Sequence, residues 1–362
     1  MKQLATIIAM VFIAIAAGAQ TPKNVKFVFT EASDLNLIGK IMDTPNPYHR
    51  VDTVKYKGFT KGENEQVRCS AGLAVLFRTN SSVISVLADY GYMNHDNSTM
   101  GISLRGYDLY IRKDGEWLYA ASQAAGRGWE ENNLVLIKDM DDSMKECMLY
   151  LPIYSEEYSV KIGVQEGSVL ESMESPFRHR IAIFGSSYTH GISTGRAGMS
   201  YPMQLMRMTG LQILSLGCSG NCKMQPYFAD VLCDADVDAF IFDSFSNPDA
   251  KMIEERLFPF IEKIQAAHPG KPLIFQQTIY RESRNFCLSS EAKESSKQAM
   301  AEKLMKEAVK KYKDVYFIQT NAADKIHSTS VDGIHPSDYG YTLWAESIRK
   351  PIVKILKKYG IR

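Results

Sequence analysis

The sequence predicts a two-domain protein, an all-β sandwich of the jelly-roll type followed by a three-layer α/β/α domain with a parallel sheet. Short β-rich segments separated by turn signals fill the chain up to about residue 174, and long helical periodicity is nearly absent there. Beyond it, apolar segments alternate with amphipathic ones, the pattern of strands that helices cover on both faces. With 362 residues and 45% apolar content, the chain is long enough for one large core or two moderate ones.

The first residues have the layout of a secretory signal. Lys2 gives a basic start, residues 4–17 are apolar, and the small residues that follow predict cleavage after Ala19. The apolar stretch is shorter than the about 20 residues that a membrane helix needs. We therefore expect export to the periplasm or the extracellular space, without a membrane span. The predicted division is a signal peptide (1–19), a β-sandwich domain (20–176) and an α/β domain (177–362).

The charge balance and the cysteines argue against several classes of partner. Lys and Arg total 42 against 41 Asp and Glu, a formal charge of +1 that gives no electrostatic reason to bind nucleic acid or an anionic membrane. Cys218, Cys222 and Cys233 lie near one another in sequence but lack a CxxC pair and a neighbouring histidine. We expect buried free thiols or one local disulfide among the six cysteines and no metal site. The oligomeric state has no sequence signal.

The β region contains seven predicted strands before a junction at Ser175-Pro176-Phe177. They lie at residues 25–29, 74–77, 83–87, 107–112, 134–138, 148–152 and 159–164. After the junction, apolar strands are predicted at residues 181–184, 212–216, 239–244, 272–276 and 315–319. Between them, apolar residues recur at spacings of three and four and predict helices at residues 252–267 and 292–312.

Polar segments follow the first three of these parallel strands. Ser187 follows the first strand, Gly220 the second and Asn247 the third, while Asp332 and His335 lie three residues apart near the C-terminus. The carboxyl ends of parallel strands are where such folds bind ligands. Together the five residues supply a candidate nucleophile, a base with an orienting carboxylate, and oxyanion donors, which is what serine-based acyl transfer needs.

Each of these residues also has an ordinary structural explanation. Ser187 is compatible with a turn or helix cap, Gly220 with a turn glycine, and Asn247 with a helix cap before Pro248. His335 is compatible with a structural histidine before a chain bend. The joint occurrence of the segments, in order and at strand ends, favours the catalytic interpretation.

In this order the four segments resemble the blocks of the SGNH (GDSL-type) hydrolase family, over about residue 180 to the C-terminus. The resemblance implies a flavodoxin-like α/β/α domain in which Ser187 is the nucleophile and His335 the base, oriented by Asp332. It implies an oxyanion hole of the Ser187 and Gly220 backbone N–H groups and the Asn247 side chain. Such chemistry requires no metal or organic cofactor.

A second resemblance lies upstream. Gly106-Tyr107-Asp108-Leu109-Tyr110 looks like the GxDLY signature of the β-domain that precedes the catalytic domain in one exported bacterial subfamily.

The four segments depart from the commonest family pattern in two places. Ser186 occupies the place of the Asp that usually precedes the serine, and the third block reads Phe245-Ser246-Asn247-Pro248 instead of GxND.

The predicted function is that of an exported serine esterase that removes short acyl groups, above all acetyl, from carbohydrate through an acyl-serine intermediate. The expected partner is an acylated small molecule or glycan. The alternatives are a lipase or thioesterase for longer acyl chains, and a glycan-binding protein that keeps the fold without turnover. Tyr188, His190, Tyr201 and Arg281 lie near the motifs and are predicted to line the substrate pocket, although packing explains each of them equally well.

Overall fold

A computed structural model describes residues 24–125 and 133–362, so the predicted signal peptide lies outside the described residues. Strands dominate the N-terminal half, with two short helices. The strands are β1 (Phe27–Glu31), β2 (Asn36–Ile38), β3 (Ala74–Thr79), β4 (Ile84–Met93), β5 (Gly106–Lys113), β6 (Glu116–Ala124), β7 (Leu134–Ile137), β8 (Lys145–Tyr150), β9 (Ser155–Gln165) and β10 (Leu170–Ser172), and the helices are α1 (Lys61–Arg68) and α2 (Gly101–Arg105).

These strands form two antiparallel sheets that face each other. One sheet has the order β1-β9-β4-β7, and the other has the order β10-β3-β8-β5-β6 with β2 paired to β3. Val75, Phe77 and Leu109 from one sheet share an apolar core with Val86 and Ile162 from the other. The predicted β-sandwich is confirmed.

The C-terminal half alternates strands and helices. Its elements are β11 (Arg178–Gly185), α3 (Ser187–His190), α4 (Tyr201–Thr209), β12 (Leu211–Gly217), α5 (Pro226–Cys233), β13 (Ala239–Asp243), α6 (Ala250–Ala267), β14 (Leu273–Gln276), α7 (Leu288–Lys311), β15 (Val315–Ile318) and α8 (Asp338–Leu356). The five strands are parallel, in the order β12-β11-β13-β14-β15. This is the flavodoxin-like order.

Helices cover both faces of the parallel sheet. Residues of α4 and α8 pack with Ile181 and Ile183 on one face, and residues of α5, α6 and α7 pack with Ala182 and Phe184 on the other. Alternate residues of β11 therefore enter different cores, as the two-residue repeat of a strand requires. The predicted three-layer domain is confirmed.

The two halves of the chain are joined by apolar packing. In β3, Val75 and Phe77 point into the sandwich core, whereas Leu76 belongs to the core that also contains Tyr201 and Met203 of α4. Met148 and Tyr150 of β8 lie in that second core as well. Strands β3 and β8, in the middle of one sheet of the sandwich, are thus buried on both faces. The division of the chain at residue 176 stays a prediction.

All predicted strands overlap observed ones, and both predicted helices coincide with α6 and α7 within a few residues. All six cysteines are free thiols. Within residues 24–125 and 133–362, no group of three or more metal-ligating side chains comes together. No helix in that part of the chain has the length and apolar character needed to cross a bilayer.

Candidate active site

The turn after β11 places Ser187 at the carboxyl edge of the sheet. The strand ends at Gly185, and Ser186 caps the one-turn helix α3 by accepting a hydrogen bond from the Tyr188 N–H at 3.2 Å. A Cβ atom at position 185 would lie 1.9 Å from Oγ1 of Thr189, so only glycine allows this helix to fold back over the strand end. Ser187 begins the helix and is 5% exposed.

A continuous hydrogen-bonded chain joins Ser187, His335 and Asp332. His335 Nε2 lies 3.0 Å from Ser187 Oγ, and His335 Nδ1 lies 2.7 Å from Asp332 Oδ2. Because a carboxylate only accepts hydrogen bonds, Nδ1 carries the proton, and neutral Nε2 then accepts from the serine hydroxyl. This is the tautomer that a general base for a serine requires.

The loop before α8 fixes the Asp332 carboxylate. Oδ1 accepts the N–H groups of Ile334 at 2.9 Å and His335 at 2.7 Å. Partial burial acts to raise the pKa of Asp332, but these hydrogen bonds and the one from the imidazole outweigh it and hold the pKa below its ordinary value. The carboxyl group is therefore ionised at neutral pH.

The loops after β12 and β13 carry Gly220 and Asn247. Gly220 has φ of 70°, in the left-handed region, and is exposed. Asn247 Oδ1 accepts the Cys222 N–H at 3.1 Å, which leaves the Asn247 amide NH₂ as the group available to a ligand. Among the described residues, that NH₂ has no hydrogen-bond partner. Since β11 lies between β12 and β13, both loops flank the turn of Ser187.

Asp243 is a residue of this site that the sequence analysis missed. It ends β13, is 1% exposed, and its Oδ2 accepts the Ser186 N–H at 3.1 Å, the Ser186 hydroxyl at 2.6 Å and the Thr189 hydroxyl at 3.1 Å. Its Oδ1 accepts the Ser246 hydroxyl at 2.6 Å. Burial raises the pKa of Asp243, and these donors oppose that shift. A lone carboxylate at the end of an apolar strand was the available signal.

The residues predicted to line the substrate pocket are buried or nearly so. Tyr188, His190 and Tyr201 are at most 1% exposed. His190 Nε2 donates to the Ile153 carbonyl at 2.7 Å, and burial holds the pKa of His190 well below its ordinary value. The side chain of Arg281 is 14% exposed, and three of its nitrogens bond protein groups. Contact of these residues with substrate finds no support in this geometry.

Residues of the N-terminal half donate hydrogen bonds to the end of β12 and to the loop that carries Gly220. Gln66 Nε2 donates to the Ser219 carbonyl at 3.0 Å, and Arg50, which is 1% exposed, donates from Nη1 to the Gly217 carbonyl at 2.9 Å. Since these residues are more than a hundred positions away in sequence, no local pattern indicates the contact.

Comparisons with known proteins agree with this architecture. Residues 178–354 match the sequence model of the GDSL-like lipase/acylhydrolase family, and residues 25–170 match GxDLY, described as the N-terminus of SGNH-hydrolase-type esterases. A crystal structure of a protein from Bacteroides ovatus ATCC 8483, provisionally described as a GDSL-like lipase, is 36% identical with a TM-score of 0.87, covering 92% of this chain and 98% of that one.

More distant solved structures share the fold. A salicylyl-acyltransferase from a tetracycline biosynthetic pathway is 17% identical with a TM-score of 0.72, covering 93% of this chain and 99% of its own. A family two carbohydrate esterase from Cellvibrio japonicus is 12% identical with a TM-score of 0.61, covering 92% and 99%. Among proteins of curated function, no sequence match to this chain is found. The identity and coverage of the Bacteroides ovatus relative establish that the chain belongs to the GDSL-like lipase/acylhydrolase (SGNH) family and is a carboxylic ester hydrolase.

Proposed function

We propose that this protein is an exported serine esterase that removes short acyl groups, above all acetyl, from carbohydrate. The observation that carries the proposal is the hydrogen-bonded chain from Ser187 Oγ through His335 to Asp332, at 3.0 and 2.7 Å. Such a chain is the arrangement that activates a serine hydroxyl as a nucleophile. The esterase class follows from the family, and the roles of the residues and the acyl group are the proposal.

In the acylation step, Ser187 Oγ attacks the ester carbonyl carbon while His335 Nε2 takes the hydroxyl proton. Asp332 stabilises the imidazolium that forms. The carbonyl oxygen becomes an oxyanion, which accepts hydrogen bonds from the N–H groups of Ser187 and Gly220 and from the Asn247 amide. When the intermediate collapses, the carbon–oxygen bond to the alcohol breaks, and the alcohol oxygen takes the proton from His335.

In the deacylation step, water replaces the alcohol. His335 accepts a proton from the water as its oxygen attacks the acyl-serine, and the same donors hold the second oxyanion. Collapse of this intermediate returns the proton to Ser187 Oγ and releases the acid. The cycle consumes one water and needs no other reactant.

The choice of carbohydrate rests on similarity of fold. A family two carbohydrate esterase from Cellvibrio japonicus and an acetyl xylan esterase from Butyrivibrio proteoclasticus share the arrangement of a sandwich and an α/β domain, at 12% and 14% identity. Fold alone does not fix a substrate.

The proposal of export rests on the leader pattern of residues 1–19. The mass of the protein recovered from a secreting host tests export, since cleavage after Ala19 leaves Gln20 first.

An apolar rim favours longer acyl chains as the second candidate. The Ser283 N–H donates to the Gly333 carbonyl at 2.7 Å, which brings the segment before α7 beside the His335 loop. Phe286 in that segment and Leu288, the first residue of α7, are 101% and 87% exposed. An acyl chain that covered these side chains would remove apolar surface from water.

Hydrolysis of p-nitrophenyl acetate, butyrate, octanoate and dodecanoate distinguishes the two candidates. We expect turnover to be fastest with acetate, because a short acyl group needs no apolar groove. Ser187→Ala and His335→Ala are expected to lower kcat by about 10⁴-fold or more. A preference for dodecanoate would move the assignment to lipids.

His327→Ala is the matched control for His335→Ala. His327 pairs with the Glu282 carboxylate at 2.7 Å, its ring forms no hydrogen bond with a serine among the described residues, and its side chain is 43% exposed. Its loss should change kcat by less than about threefold. If wild-type turnover equalled that of Ser187→Ala on every ester, and no serine-reactive phosphonate labelled the protein, catalysis would be rejected in favour of glycan binding.

A further inference from the structure

The loop between β13 and α6 has to present the Asn247 amide without the glycine that the family's third block usually supplies. Its sequence is Phe245-Ser246-Asn247-Pro248, and Ser246 is 2% exposed. A proposed oxyanion donor works only within a few tenths of an ångström of the correct place. The contacts of Ser246, the residue before Asn247, are therefore decisive.

Two cationic side chains, one buried and one largely buried, donate hydrogen bonds to the backbone carbonyl of Ser246. Arg281 Nη2 donates to it at 2.6 Å, and Lys297 Nζ donates to it at 3.1 Å. The side chains of Arg281 and Lys297 are 14% and 2% exposed. Charge-assisted hydrogen bonds of this kind are stronger than neutral ones, and burial limits their screening. The Ser246 hydroxyl donates a hydrogen bond to the Asp243 carboxylate at 2.6 Å.

One carboxylate partly balances the two cations. Glu294, on the same helix as Lys297, lies 2.8 Å from Arg281 Nη1 and 2.6 Å from Lys297 Nζ and is 4% exposed. Burial, with the neighbouring Arg281 charge, lowers the pKa of Lys297 to about 8. Below that pH the cluster of Arg281, Lys297 and Glu294 carries a net positive charge, which faces the Ser246 carbonyl. None of the three was placed in this role by the sequence.

The same guanidinium reaches the turn of the proposed nucleophile. Arg281 Nε donates to the Tyr188 hydroxyl at 2.7 Å, and Tyr188 follows Ser187 directly. The Tyr188 ring packs edge-on against the His335 ring, with 5.6 Å between centroids. Arg281 thus contacts both the helix that carries Ser187 and the loop that carries Asn247.

From these contacts we infer that Arg281, supported by Lys297, is a positioning residue that sets the Asn247 amide in the oxyanion hole through the Ser246 carbonyl. The inference rests on the proposed function, because it assigns Asn247 to the oxyanion. Arg281 does not touch the reacting atoms.

A double-mutant cycle tests the inference. Arg281→Gln alone should lower kcat for p-nitrophenyl acetate by about 10- to 100-fold, with KM changed by less than about threefold, because the oxyanion forms only in the reaction. In the Asn247→Ala background, the same substitution should cost less than about threefold, since the group that it positions is gone. Arg281→Lys should restore only part of the activity, because an ammonium cannot reach all three partners.

Arg284→Gln is the matched control. Arg284 belongs to the same segment and pairs with Glu291 of α7 at 2.7 Å, but it does not contact Ser246. It should leave kcat within about threefold of wild type. Lys297→Met provides a second test that keeps the guanidinium. It should lower kcat in the wild-type background but by less than about threefold in the Asn247→Ala background.

Amide hydrogen exchange of the peptide that contains residues 244–249 gives a readout that does not need activity. Faster exchange there in Arg281→Gln, but not in Arg284→Gln, supports positioning. Equal losses of kcat in both backgrounds, or unchanged exchange with unchanged kcat, would overturn the inference. Absence of Ser187-dependent turnover in the wild type would instead refute the proposed function, so the two failures are distinguishable.

Discussion

At the scale of single residues, Asp332 shows how a short loop prepares a carboxylate. It accepts two backbone N–H groups and the His335 imidazole within a stretch of four residues. The backbone bonds lock the carboxylate before any charge develops on the imidazole, and they help to lower the pKa of Asp332. The pattern Asp-x-x-His alone is as typical of a structural histidine, so the pair was predicted only from its occurrence together with the other three segments.

Asp332→Asn should lower kcat by about 10²- to 10⁴-fold, because an amide NH₂ facing Nδ1 favours the wrong tautomer of His335. The thermal midpoint should change little, since the amide oxygen can still accept the backbone bonds. The measurement is kcat with p-nitrophenyl acetate beside the melting temperature.

Asp324→Asn is the control for this substitution. Asp324 accepts the N–H groups of Ile326 and Ser328 at 3.2 and 3.0 Å in a similar turn, away from His335. It should keep wild-type activity within about threefold. Retention of wild-type kcat in Asp332→Asn would remove Asp332 from the proposed mechanism.

At the scale of elements, β9 buries two adjacent carboxylates with different partners. Glu156 pairs with His49 at 2.8 Å and lies 3.5 Å from Arg68 Nε. Glu157 points to the other side, where the hydroxyls of Ser70 and Ser155 donate to it and no cation pairs with it among the described residues. Burial, more than the neighbouring Glu156 charge, raises the pKa of Glu157 to about 8.

This raised pKa predicts a pH-dependent stability that Glu157→Gln removes. The folded state holds a proton that the unfolded state has lost above its ordinary pKa of 4.5, so this contribution is fully present below that value and is lost as pH rises through about 8. The free energy of unfolding of Glu157→Gln, relative to wild type, should therefore increase between about pH 5 and about pH 9. Guanidinium unfolding at both pH values measures it.

Glu166→Gln serves as the control, because Glu166 is exposed and follows the last residue of β9. The free energy of unfolding of this variant should equal that of wild type at both pH values. Parallel pH profiles for wild type and Glu157→Gln would show that Glu157 is already ionised in the fold.

The strands that the sequence did not predict are short or have weak patterns. The half-exposed β6 contains three alanines, which have low strand propensity, and β2 and β10 are three residues long. Helix α8 has apolar residues at helical spacing and contains Pro351, but α6 was predicted although it contains Pro259, so the internal proline does not explain why α8 was missed. The parallel strands were predicted more reliably because burial on both faces makes them continuously apolar.

At the scale of the whole molecule, the GxDLY motif joins the two halves of the chain. Asp108 of β5 is fully buried, lies 2.9 Å from Arg196 Nη1, and accepts the Gly198 N–H at 2.8 Å. The neighbouring Gly195 N–H donates to Asp338 at the start of α8, three residues after His335. The motif therefore anchors a segment that also contacts the helix following the proposed base.

Asp108→Asn should destabilise the protein by about 3 kcal/mol, because it leaves the partly buried Arg196 without its charge partner. Removal of both charges, in Asp108→Asn with Arg196→Gln, should restore part of the loss. Chemical unfolding measures both. Glu146 pairs with Arg112 at the surface, where the side chains of Arg112 and Glu146 are 35% and 40% exposed. Glu146→Gln should therefore lower the free energy of unfolding by less than about 1 kcal/mol. An equally small effect at Asp108 would contradict the anchoring role.

The sequence by itself determined the fold class, the positions of the parallel strands along the chain and the segments that carry Ser187, Gly220, Asn247, Asp332 and His335. Each depends on local information, namely apolar periodicity, strand ends and short polar motifs. The catalytic roles of these residues stay predictions, and the structure adds that Ser187, His335 and Asp332 form one hydrogen-bonded chain.

Only the tertiary structure decided what holds these segments in place. Asp243 lies 57 residues from Ser186, and Arg50 lies 167 residues from the Gly217 carbonyl that it binds. Buried polar groups need partners wherever the fold brings them, and those partners leave no periodic trace along the chain. The fold also buries Tyr188 and Tyr201, although their positions near the motifs had suggested that they line the substrate pocket.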